Sequence, residues 1–372
     1  MDKIKVAFIK FGGLCAGGTE RFLHAIAGNL PHDNFIVDYY YCDAAPYLGS
    51  NWQHPDTDPD RKKYLESKGV NLIKVNVGFK DVRTPHHDWI DTNLWDLFNE
   101  DDYDVILSGR AGHPEYPFHM IHKTPLINIL TLTAGVDNQK NVFKSIHITN
   151  WSGQEWLRKG GDASRLEIVP VIQEMPEPPF NDMRKGLGVE DKFIYGFHQR
   201  NSDGIFSEVP LKAYKEIETD DTCFILLGGN NQYKLQAKEL DLKNFIALPH
   251  TGDGEIIHSF LETLDVYSHG RNDGETFGAV FTEAQYHKLP MISHRAKSNG
   301  HVEVIGSGGV VFERNDIKGY SSEMLKLKED KEYYSIKGNS GYEHYNINYS
   351  LESQINRIVG FIEDAKTHGK YS

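Results

Sequence analysis

Two glutamates, Glu275 and Glu283, stand eight positions apart where a strand candidate, Val266 to Ser268, gives way to a loop and then to a helix start near Ala279. Eight helical rises span about 12 Å, somewhat less if the first residue lies on the loop. That is close to the reach from the hexose ring to the ribose of a nucleotide sugar. One carboxylate would accept hydrogen bonds from sugar hydroxyls and the other from ribose hydroxyls, both charge-assisted. Gly274 and Gly278 would leave backbone N–H groups near the helix start open to the diphosphate between them. The same two acids also fit a plainer role as solvated residues beside an ordinary loop. A second glycine-rich loop, Gly12 to Gly18, precedes Thr19-Glu20-Arg21. It lets the backbone approach a ligand and offers helix-start amides to a phosphate or sugar oxygen. Its spacing is not the dinucleotide fingerprint and it lacks the Lys-Ser/Thr of a P-loop, so a structural turn fits these residues too.

The elements that must hold these loops read as alternating strands and helices. Ile4 to Ile9 is a short apolar run suited to a strand buried on both faces. After the glycine loop, Phe22, Leu23, Ile26, Ala27 and Leu30 recur at helical spacing, with Thr19 placed as the N-cap. Phe35 to Tyr41, Val70 to Val75, Val105 to Ser108, Leu126 to Leu132, Ser145 to Thr149 and Leu166 to Val169 are further strand candidates. Helical stretches between several of them predict a parallel sheet with crossover helices. Four prolines, Pro170, Pro176, Pro178 and Pro179, fall within Val169 to Phe180 and suit neither helix nor central strand, which places an interdomain linker there.

Beyond the linker the pattern restarts with a strand at Phe193 to His198, a helix at Ser207 to Ile217 and a strand at Cys223 to Leu227. Phe245 to Leu248, Pro290 to Ser293 and Gly309 to Phe312 follow as strands, and Ala279 to His287 as a helix. The predicted architecture is α/β, two doubly wound units in tandem, with a cleft between the carboxyl ends of the two sets of strands. Leu351, Ile355, Ile358, Val359 and Ile362 form one helical stripe that must pack against something.

Composition limits the alternatives. A length of 372 residues predicts two domains, and 39% hydrophobic with 25% charged residues suits ordinary globular cores. The net charge of −13 argues against gripping nucleic acid or an anionic membrane by bulk electrostatics. No apolar run approaches the length of a membrane span and Met1 to Lys10 lacks the form of a signal peptide, which predicts a cytoplasmic protein. Cys15, Cys42 and Cys223 are widely spaced with no Cys/His cluster around them, so reduced thiols and no metal site are expected.

The segment Asp265 to Glu303 resembles the donor-binding motif of retaining GT-B glycosyltransferases of glycosyltransferase family 4, the glycosyl transferases group 1. It contains Gly274-Glu275-Thr276-Phe277-Gly278, Glu283-Ala284, Lys288-Leu289-Pro290-Met291-Ile292 and Gly300-His301-Val302-Glu303. Lys288 replaces the family's glycine before Leu289-Pro290. Gly17-Gly18-Thr19-Glu20-Arg21 resembles the family's first-domain Gly-Gly-x-Glu-Arg, so the likeness spans nearly the whole chain. It implies a GT-B fold of two Rossmann-like domains, residues 1–172 on the acceptor side and 181–351 on the donor side, with residues 352–372 returning to the first domain.

By that resemblance Glu275 contacts hexose hydroxyls and Glu283 the ribose, while the amides of Thr276, Phe277 and Gly278 approach sugar and phosphates. Gly17 and Gly18 lie near the donor, and His113 resembles the first-domain histidine beside the transferring sugar, although a surface or structural role for it remains open. Arg200 falls where the family places a diphosphate-binding arginine. The lysine that usually follows is missing from Asn201 to Phe206, which leaves Arg271 or Arg295 as possible phosphate contacts. The implied activity moves a hexose-type sugar from a UDP- or GDP-type donor to an acceptor hydroxyl, with retention, without a metal or other cofactor, in glycan or polysaccharide assembly. Domain closure would keep water away from the reacting centre.

A non-catalytic nucleotide-sugar or glycan binder on the same fold is the alternative, supported by the missing lysine. A nucleotide-dependent oxidoreductase lacks its Gly-x-Gly-x-x-Gly. The acceptor, whether sugar, glycan or small molecule, is not encoded in any spacing of Asn51 to Lys63 or Thr84 to Trp89. Residues 1–172 hold 18 basic and 22 acidic residues, which predicts at most weak membrane contact, centred on Arg61-Lys62-Lys63.

Overall fold

The computed structural model describes residues 2–15, 17–43, 57–79, 90–110, 112, 114, 117–132 and 135–369. The chain forms two compact units, one made of Met1–Glu174 with Leu351–Ser372 and the other of Met175–Ser350.

The first unit is built on a seven-stranded sheet in the order Asn71–Lys74, Phe35–Tyr41, Ile4–Lys10, Val105–Gly109, Leu126–Leu130, Val142–His147, Leu166–Ile168. Every neighbouring pair is parallel. Val6, Ala7 and Phe8 are wholly buried, as a central strand covered on both faces requires. The helix Gly18–Asn29 follows the first strand and buries Phe22, Leu23 and Ile26. Its start differs from the expected cap. Gly17 is the N-cap and makes no side-chain bond, while the Thr19 hydroxyl lies inside the first turn and pairs with the Thr131 hydroxyl at 2.6 Å. The strand expected at Ser145 to Thr149 runs instead from Val142 to His147, because Thr149 caps the next helix through Ser152.

The last helix, Leu351–His368, belongs to this first unit and buries Ile355, Ile358, Ile362 and Ala365 along one stripe. It packs on the helix Gly18–Asn29 and the strand Val105–Gly109, and Lys366 reaches Asp104 at 3.4 Å.

The second unit has a six-stranded parallel sheet in the order Phe245–Leu248, Thr222–Gly228, Phe193–Gln199, Val266–Ser268, Met291–His294, Gly309–Phe312. All seven residues of Thr222–Gly228 are buried. The helix expected from Ser207 begins at Val209, with Pro210 in its first turn, where a missing N–H costs nothing. The helix Ile317–Glu329 covers one side of this sheet. Its Tyr320, wholly buried, donates its hydroxyl to the His269 carbonyl at 2.9 Å, and Tyr195 from the sheet donates to the Met324 carbonyl at 2.8 Å, so both buried phenols are satisfied.

In sequence numbering of their strands, both sheets run three, two, one, four and onward. The direction of winding therefore reverses between the first strand and the fourth. Ligands of open parallel sheets bind outside the carboxyl ends of the strands at that reversal.

Candidate functional site

In the second unit the reversal lies between Phe193–Gln199 and Val266–Ser268, so the loops after Gln199 and after Ser268 frame the site. The two loops are laced together. Asn272 donates its backbone N–H to the Ile205 carbonyl at 3.2 Å, and Tyr233 donates its hydroxyl to the Gly270 carbonyl at 3.3 Å while accepting from the Ser207 N–H at 3.2 Å. Ile205 is buried and belongs to the stretch where the resemblance calls for a lysine. Arg200 is exposed at the carboxyl end of its strand.

Arg271 is already committed to two carboxylates. Its Nε and Nη2 donate to the Asp273 oxygens at 2.6 and 2.9 Å, and Nη1 donates to Glu275 Oε1 at 2.6 Å. Burial works against the guanidinium charge, but Asp273 and Glu275 outweigh it and hold the group more firmly protonated than usual. Arg295, the other candidate phosphate contact, forms a surface pair with Glu313 at 3.2 Å.

Glu275 sits in a two-residue parallel ladder in which Gly274 and Glu275 pair with Ser298 and Asn299. Gly274 has φ +73°, and a Cβ there would lie 1.9 Å from the Ser298 carbonyl oxygen, so only glycine lets the ladder close. The Glu275 side chain is 18% exposed. Burial raises its pKa above the ordinary carboxylate value, opposed first by Arg271 and also by the charge of Arg200. Glu275 and Arg200 are thus electrostatic neighbours, and Glu275 and Arg271 are in contact. Phe277, buried edge-to-face against Tyr349 at 5.7 Å, anchors the loop beyond Glu275, and Thr276 between them is half-buried.

Gly278, at φ +86°, is the N-cap of the helix Ala279–Tyr286 and makes no side-chain cap bond. A glycine at the N-cap has no side-chain oxygen of its own to place over the first backbone N–H groups, where the positive end of the helix dipole lies. One turn further, Glu283 Oε2 lies 3.0 Å from His198 Nε2, with both side chains nearly buried. Tyr267, wholly buried on the strand between them, has its phenol pKa raised well above normal, first by burial and then by the charges of Glu283 and Glu275.

In the first unit, Gly17 and Gly18 open the helix after the first strand. Nothing lies within 4 Å of the position a Gly18 Cβ would take, and Lys10 pairs with Glu20 at 3.5 Å beside them. Arg110, at the end of the fourth strand, is buried against Asp137 at 2.5 Å and donates from Nε to the Asn128 side-chain Oδ1 at 2.9 Å. His113, residues 51–56 and the segment Thr84 to Trp89 lie outside the described residues. The basic run Arg61-Lys62-Lys63 is locally occupied, with Arg61 over the Tyr64 ring, Lys62 near Glu66 and Lys63 on Asp60.

His198, Tyr267 and Asp273 escaped the reading of the sequence. Only His198 carried a signal, its place two residues before Arg200 at the end of a strand. Among the described residues no group of three His, Cys, Asp or Glu side chains is placed to hold a metal ion, and no helix is long and apolar enough to cross a membrane.

Residues 188–344, within the second unit, match the family described as glycosyl transferases group 1. No curated protein matches the chain. Solved structures place the whole chain on the GT-B fold of two Rossmann-like α/β units. The Anabaena protein HepE in complex with UDP and glucose is 17% identical with a TM-score of 0.69, over 97% of this chain and 100% of that one. Sucrose-phosphate synthase from Thermosynechococcus elongatus is 13% identical with a TM-score of 0.70, over 98% and 100%. A glycosyltransferase from Rickettsia africae is 13% identical with a TM-score of 0.70, over 99% and 100%.

Proposed function

We propose that the protein is a retaining, metal-independent glycosyltransferase that moves a hexose-type sugar from a nucleotide diphosphate donor to an acceptor hydroxyl, in glycan or polysaccharide assembly in the cytoplasm. The observation that carries this reading is the grouping at the winding reversal of the second unit. There a half-buried carboxylate, Glu275, pairs with Arg271 beside the charge of Arg200, and a helix start capped by a glycine follows three residues later. A match of residues 188–344 to glycosyl transferases group 1 and a HepE structure holding UDP-glucose support a UDP-type donor, with a GDP-type donor the alternative.

In this reading Glu275 accepts hydrogen bonds from the sugar hydroxyls, and Arg200 with the amides of Thr276, Phe277 and Gly278 receives the diphosphate. Glu283 takes the ribose, and Gly17, Gly18 and His113 keep the donor-side roles that the family resemblance implies. Positive charge and fixed amides lower the barrier by stabilising the negative charge that develops on the leaving diphosphate. The acceptor oxygen bonds to the anomeric carbon as the bond from that carbon to the diphosphate oxygen breaks, and the acceptor proton passes to a phosphate oxygen of the departing group. No enzyme carboxylate is consumed, so a covalent glycosyl-enzyme trapped on Glu275 would refute this step.

A non-catalytic nucleotide-sugar binder is favoured by one observation, the buried Ile205 in the stretch where the family's second cation belongs. The test is a panel of UDP-, GDP- and ADP-sugars, measured for binding by calorimetry and for release of the nucleoside diphosphate with and without sugar acceptors and EDTA. Turnover that survives EDTA supports the transferase, and binding with no turnover supports the binder.

A further inference from the structure

His198 stands next to last on the first strand of the second sheet, at the carboxyl end where ligands approach. Its side chain is 12% exposed, and both ring nitrogens have partners. Nε2 is 3.0 Å from Glu283 Oε2 and Nδ1 is 3.3 Å from the Tyr267 hydroxyl, which also lies 3.4 Å from the His198 carbonyl oxygen. A wholly buried tyrosine whose pKa is raised keeps its proton and donates it. The Tyr267 phenol has both Nδ1 and the His198 carbonyl oxygen within reach, and Nε2–H donates to the Glu283 carboxylate. The ring itself is wedged edge-on between Phe260, at 6.2 Å, and Tyr267, at 5.7 Å, so its plane is set by packing.

A carboxylate gripped at one oxygen by a ring of fixed plane has its own plane fixed as well. Second partners of this kind orient metal-binding and catalytic groups, where loss of the partner typically costs about 10–100-fold. The other buried histidines nearby serve the fold. His294 bridges the Ser207 hydroxyl and the Arg295 carbonyl, and His301 donates to the His294 carbonyl. Of these three, His198 is the one whose ring pairs with the carboxylate of a candidate ligand-binding acid.

We propose that His198, backed by Tyr267, is the positioning residue that holds Glu283 in the orientation needed to read the cis-diol of a ribonucleoside diphosphate. This rests on the donor-binding reading above and deepens it, because it makes sugar-edge selectivity for ribose a property of the Tyr267–His198–Glu283 chain.

The experiment compares UDP with 2′,3′-dideoxy-UDP by calorimetry on the full chain, for the wild type and for His198→Phe, His198→Gln and Tyr267→Phe, each checked for an unchanged unfolding midpoint. Phenylalanine keeps the ring packing and removes the bond, whereas glutamine restores an N–H donor. Hydrogen bonds to a charged group lead us to expect a wild-type preference for UDP of about 10–100-fold. His198→Phe should lower UDP affinity about tenfold and leave the dideoxy compound within about twofold, and His198→Gln should recover part of the loss. Tyr267→Phe should reduce the preference in the same direction by a smaller factor. A preference kept intact in His198→Phe, or equal losses for both nucleotides, overturns the inference and leaves the donor-binding reading standing. A wild type that binds neither UDP, GDP nor ADP overturns both.

Discussion

Removing the guanidinium of Arg271 separates two accounts of the same residue. As a phosphate contact, Arg271 would contribute to the affinity for any nucleoside diphosphate. As the partner of Glu275, it would act only on the sugar end and only while that carboxylate is charged. The structure favours the second account, because all three of its bonds go to Asp273 and Glu275. In the intact site the Asp273 side chain is 41% exposed and that of Glu275 18%, so on loss of Arg271 water should compensate Asp273 more fully than Glu275. An opposite charge in contact depresses a carboxyl pKa by about 1–3 units, so its removal should raise that of Glu275 by a similar amount. Burial already raises it, and both effects act in the same direction.

The acid limb of kcat/KM for donor turnover should therefore move up by about 1–3 pH units. At neutral pH the loss of one charged hydrogen bond, about 1.5–3 kcal/mol, lowers kcat/KM by about 10–150-fold. The affinity for UDP alone should stay within about threefold, and Arg271→Lys, which keeps the charge without the fork, should fall between. The assay is a pH series of nucleoside diphosphate release with the donor identified by the panel, beside calorimetry with UDP. An unmoved acid limb together with a large loss of UDP affinity would refute the reasoning and return Arg271 to the phosphates.

Other expectations concern the scaffold. Gly274→Ala combines φ +73° with a 1.9 Å approach to the Ser298 carbonyl, so the ladder at Glu275 must open. Donor turnover should fall by at least about tenfold and the stability of the second unit by about 2–4 kcal/mol, read by urea titration. Ile358→Ala empties a wholly buried position on the last helix and should cost the first unit about 2–5 kcal/mol, with little change in donor affinity. His24, His147 and His301 are buried with pKa values lowered by burial to about 3, about 4 and about 4. The unfolded chain then takes up their protons first. Stability should be complete above pH 6.5 and decline toward pH 4, by up to about 1.4 kcal/mol per pH unit for each histidine. His147→Leu should flatten that slope for the first unit in urea titrations run across the range, and an unchanged slope would discount the histidine.

What the sequence made legible was the position of the loops. Apolar runs ending in glycine clusters marked where strands stop, and Glu-Thr-Phe-Gly marked which loop carries the acids, because these are local properties of consecutive residues. The start of the first helix was misplaced for a local reason as well. A threonine in a glycine-rich entry looks like a cap, yet its hydroxyl is used by Thr131, far away in sequence. The pairings that define the chemistry were not legible. His198 and Glu283 are 85 positions apart and meet only because a strand end and a helix turn are brought together by the sheet order. Arg271 and Glu275 are four apart, but in a loop that spacing carries no fixed geometry, so only the fold shows that the arginine turns toward the acid.

The path of the chain has a consequence for how the protein comes into being. The second unit is continuous, whereas the first is interrupted by it and is completed only by Leu351–His368. At a synthesis rate of about 5–20 residues per second, roughly 10–35 s pass between the emergence of Glu174 and that of the closing helix. During that interval the surfaces of Gly18–Asn29 and Val105–Gly109 that later receive Ile355, Ile358 and Ile362 have no cover. The unit whose chain begins first is therefore completed after the other, and its apolar slot stays open to chaperones until Leu351–His368 has emerged.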